Sequence, residues 1–64
     1  MKKKELKNLA EKIAKCEYVI QNSKEEAARQ AAQQEIMRLS SRVHDFSDLD
    51  TIDELVQEML KKMS

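Results

Sequence analysis

Cys16 and His44 are the chain's single cysteine and single histidine, so any soft metal site or Cys–His nucleophile pair has to use both. Their places in the chain argue against it. If two helices form a hairpin turning near Ser23, Cys16 falls opposite Gln30 and His44 falls opposite the N-terminal lysines. The gap is about 14 helical residues, roughly 20 Å at ~1.5 Å per residue. Cys16 therefore reads as a small hydrophobe in a helix seam. His44 reads as a helix C-terminal residue favoured by the dipole.

The carboxylates Asp45, Asp48, Asp50 and Asp53 raise the question of calcium. An EF-hand loop needs a glycine at its sharp turn and a glutamate at its last position. This stretch has neither that spacing nor any glycine. These aspartates read as helix caps and solvated charge. General acid–base work needs a carboxylate in an apolar pocket, and 64 residues are too few to be expected to enclose one. The expectation is a non-enzymatic protein with no metal and no cofactor.

A third group is basic. Lys2, Lys3, Lys4 and Lys7 lie near the start, and Arg38 and Arg42 lie where a hairpin would bring them alongside. Such a patch could contact phosphates without reading sequence. A helix-turn-helix is a poor fit, because its recognition helix would start with Asp50, Asp53 and Glu54 and be repelled by the duplex.

The elements that position these groups follow from periodicity. Leu6, Leu9, Ile13, Cys16 and Ile20 are spaced 3, 4, 3, 4, which predicts a helix over about 3–21. Ser23-Lys24-Glu25-Glu26 fits a capping box, so a second helix is expected over about 24–43. Its apolar positions are Ala28, Ala32, Ile36, Leu39 and Val43, with Ala27, Ala31 and Met37 widening the face. Residues 44–50 read as a loop whose Phe46 and Leu49 pin it over the core. Thr51-Ile52-Asp53-Glu54 fits a second capping box, opening a third helix over about 51–63. Ile52, Leu55, Val56, Met59, Leu60 and Met63 give that helix a wide apolar face.

Composition agrees. The chain has no glycine and no proline, which removes glycine-dependent phosphate loops and argues against hairpin-rich β folds. The expected fold is all-α, one domain over residues 1–64: an antiparallel helical hairpin plus a third amphipathic helix. Asn22-Ser23 is a soft break, so one long helix exchanged between two copies is an open alternative. No membrane span and no signal-peptide apolar region is present in the sequence, and a cytoplasmic protein is expected.

Twelve Lys and Arg balance twelve Asp and Glu, yet the charges are segregated. Residues 1–22 sum to +3, residues 23–44 to +1 and residues 45–64 to −4. A core this small rarely supplies more than ~3–5 kcal/mol without a staple, and a lone cysteine offers none. Self-association is the expected staple, with a homodimer favoured and the basic front of one copy facing the acidic back of another. The expected function is a protein-interaction or regulatory module. Candidate interface residues are Tyr18, Phe46, Leu49, Ile52, Val56, Met59 and Met63. The alternative is a nucleic-acid-associated protein using the lysines and arginines above.

Overall fold

The computed structural model describes residues 2–63 and contains three helices: α1 (Lys3–Asn22), α2 (Glu26–Ser40) and α3 (Phe46–Met63). The helical hairpin is present, and α1 and α2 are separate helices. Arg42, just past the end of α2, lies beside Glu5 and Asn8 near the start of α1. Glu35, two turns earlier, acts electrostatically on Lys12 and Cys16, farther along α1. The two helices therefore run antiparallel, as a three-residue connection requires. Cys16 lies within reach of the Glu35 charge, and a turn centred on Lys24 moves its pairing about two residues past Gln30 toward it.

The turn forms without glycine. Ser23 and Glu25 are both extended, at φ −80° and −81°. No described residue needs a positive φ. Asn22 Nδ2 donates to the Tyr18 carbonyl at 2.9 Å, and the Ser23 amide donates to the Val19 carbonyl at 2.8 Å. These bonds satisfy carbonyls that the end of α1 leaves without helical partners. The expected capping box does not form. Ser23 Oγ accepts from the Glu25 amide at 3.2 Å, a local turn bond, and α2 starts two residues later than expected.

At its other end α2 stops at Ser40, not Val43. The Ser41 hydroxyl donates to the Arg38 carbonyl at 2.7 Å, and the Arg42 and Val43 amides bond three residues back. The last turn thus tightens out of the α geometry, as serine-assisted ends often do. Val43 still stays buried at 7% exposure. His44 lies beyond the helix in the exposed connection, not within its last turn.

The largest departure from expectation is the start of α3. Residues 46–50 are helix, not loop. Asp45 is the cap: its Oδ1 accepts from the Ser47 amide at 2.9 Å and its carbonyl accepts from the Leu49 amide at 3.1 Å. Thr51 is therefore interior, and its hydroxyl donates back to the Ser47 carbonyl at 3.1 Å. Phe46 is not a pin over the core. It opens α3 at 84% exposure.

α1 is the central element and packs against both α2 and α3, which scarcely meet each other. The core joins Leu6, Leu9, Ala10, Ile13 and Ala14 of α1 to Leu39, Val43, Ile52 and Val56. It is thin. Ala10 and Ala14 reach zero exposure, while every large side chain in the core keeps some.

Candidate interaction surface

Because α2 and α3 splay apart on α1, a seam runs between them. Ile13 of α1 forms its floor, with Ile36 on the α2 wall and Leu49, Ile52 and Val56 on the α3 wall. The seam holds a cavity of about 170 Å³. Its polar lining is Glu17, Ser40 and Asp53, two acids and a hydroxyl with no base. Helical spacing carries each wall outward. Phe46, Leu49 and Asp53 stand at i, i+3 and i+7, one stripe of α3. Arg29, Gln33, Ile36 and Ser40 repeat at 4, 3, 4, one stripe of α2, with Met37 next to it.

The two most exposed large apolar side chains of the described chain are Phe46 at 84% and Met37 at 71%, and neither lines the cavity. Leu49, which does line it, is 36% exposed. The remaining candidate interface residues separate into two sets. Ile52 and Val56 are buried in the core and present little surface. Tyr18 and Met63 are exposed and Met59 is half-buried, and none of the three lines the seam. Met37 was read as core widening. It lies 100° beyond Ile36 around α2, which turns it out of the core; its spacing was the available signal.

Arg42 and Lys7 line different grooves. Arg42 lies with Lys12, Glu5 and Asn8 along the α2 flank of α1. Lys7 lies with Lys15, Lys62 and Glu11 along the α3 flank, over Met59 and Met63. Arg38 is held by Glu35, with Nη2 to Oε2 at 2.5 Å. That bond first, and the guanidinium charge with it, holds the Glu35 carboxyl below its ordinary range and the Arg38 guanidinium above its own. Lys2, Lys3 and Lys4 are exposed at the start of the chain.

Cys16 is half-buried, and burial first, with the Glu35 charge second, pushes its thiol up. A thiol held protonated is a poor nucleophile and a poor ligand. Among the described residues no three His, Cys, Asp or Glu side chains gather into a group suited to a metal ion. No described helix is long and apolar enough to cross a membrane.

Comparison with protein-family models, curated proteins and solved structures gave no match.

Proposed function

We propose that this chain is a small non-enzymatic interaction protein that self-associates and acts as a protein-binding or regulatory module. The observation that carries this reading is its surface. The chain exposes 5064 Å². A compact monomer of its mass exposes roughly 4,200 Å². The excess, about 800 Å², is close to what one partner gives up in a standard protein interface. The Cα radius of gyration agrees, at 11.7 Å against roughly 10.7 Å for a compact chain of this length. α2 and α3 both lie on α1 and scarcely cover each other.

Sedimentation velocity and thermal melts over a hundredfold concentration range test the reading. The expected result is a mass shifting from monomer toward dimer, with a melting temperature that rises with concentration. A monomer up to high micromolar concentration, melting at one temperature throughout, would overturn it.

A further inference from the structure

Resting on that reading, we infer that the groove between α1 and the end of α3 receives Phe46 and its flanking aspartates from a second copy of this chain.

The lining of the groove defines its occupant. Lys7, Glu11 and Lys15 of α1 and Met59, Lys62 and Met63 of α3 enclose a cavity of about 390 Å³. An apolar cavity of roughly 150 Å³ already accommodates benzene, so an aromatic side chain fits with room for the backbone that carries it. Methionine adapts its shape, and its sulfur makes favourable contacts with aromatic rings. Three lysines against one glutamate leave the lining net positive. Within the described residues no ion pair holds Lys7, Glu11, Lys15 or Lys62. The complement of this lining is a ring flanked by carboxylates.

The chain itself presents such a group. Phe46 is 84% exposed. Asp45 precedes it, and Asp50 stands one turn on, at i+4 on the same stripe. No Lys or Arg occurs from Asp45 to Leu60. Met37, at 71% exposure, is a poorer complement: its helical neighbours Gln33, Gln34, Ser40 and Ser41 are all neutral and offer the lysines no charge.

Phe46 opens α3 and Met63 closes it, so roughly 25 Å of helix separates the ring from the groove. A copy therefore cannot fill its own groove, and the ring comes from another copy. Made once, the contact leaves one ring and one groove open. Made reciprocally, it closes a dimer in which the contact occurs twice.

The test is sedimentation equilibrium on full-length variants, with circular dichroism confirming helix content. Phe46→Ser with Asp50→Asn removes the ring side. Lys7→Gln, Lys15→Gln and Met63→Ser together remove the groove side. All these positions are exposed, so folding is retained. Each variant alone is expected to associate roughly tenfold or more weakly than the wild type. Mixed one to one, the two are expected to form a heterodimer, because the first keeps its groove and the second keeps its ring. Met37→Ser is expected to leave association unchanged. A wild-type dimer that survives both variants overturns this assignment and leaves self-association standing. Loss in only one of the two variants overturns the pairing of ring with groove, and so does a mixture that fails to associate. Loss confined to Met37→Ser moves the contact to α2 and overturns it as well. A monomeric wild-type chain overturns both this inference and the function it rests on.

Discussion

Leu6, Leu9 and Ile13 in the first half of α1, and Cys16 and Ile20 in the second, follow one unbroken spacing. The first three are buried; the last two are half-buried, and Tyr18 and Val19 beside them are exposed. The difference lies in the neighbours. Residues 6–14 lie between the bulky end of α2, with Leu39 and Val43, and the Ile52–Val56 stretch of α3. The end of α1 has only the alanine half of α2 beside it, where Ala32 is buried and Ala28 half-buried. Small side chains permit close approach but bring little apolar surface of their own. A seam pattern in one helix thus states what can be buried, and its partners decide how much of it is.

The contrast makes its sharpest prediction in the core. Ile13→Ala should cost on the order of 2–5 kcal/mol, comparable with the whole margin of a domain this small. Ile20→Ala should cost roughly half that or less, since a half-exposed side chain leaves a smaller cavity. Urea or thermal melts at fixed concentration distinguish the two. Equal losses would erase the difference between the halves of α1.

The two connections differ in the same way, and their caps should rank accordingly. Asp45 caps α3 directly through its carboxylate, so Asp45→Ala should cost about 1 kcal/mol. Ser23 only closes a local turn before α2, and Ser23→Ala should cost a few tenths of a kcal/mol at most. The reverse order in the melts would show that the Ser23 turn, and not the Asp45 cap, anchors the hairpin.

The smallest effect is at Cys16. Its folded-state thiol is raised above its ordinary value of about 9.0, so the fold favours the protonated form. That contribution is constant below pH 9 and declines as pH rises through the raised value. The chain should lose stability in mildly alkaline solution, and Cys16→Ala should flatten that decline. Alkylation by iodoacetamide at pH 8 should be slower folded than in urea. Equal rates would place Cys16 with the exposed residues of its half.

Much of this architecture was legible in the sequence. The heptad stripe of α1 and the 3, 1, 3, 1, 3 pattern of α3 located both helices, and the short break at Asn22-Ser23 implied a hairpin. The misreadings share a cause. Ser23 and Thr51 both sit three residues before a glutamate and matched a capping box, whereas Asp45, within the expected loop, did not. Only Asp45 caps a helix, and choosing among them requires knowing which start lets the apolar stripe reach the core. Starting at Phe46 adds Leu49 ahead of Ile52 and Val56 on the α1-facing side. Tertiary packing, which local spacing does not encode, made that choice. The arrangement of the basic residues shows a related limit. Pairing two helices brings their ends together, but which flank each side chain takes depends on where α3 lies. The seam itself was invisible, because it exists only where two helices fail to touch.

The two connections turn the chain without a single residue at positive φ. A sequence that needs no glycine to turn also carries none into its denatured ensemble. Each glycine adds unfolded conformations worth roughly 0.5–1 kcal/mol relative to alanine. The entropy lost on folding is therefore smaller here than for a glycine-containing chain of equal length. A thin core can stay folded against that smaller loss, and this leaves Phe46 and Met37 free to stand in solvent.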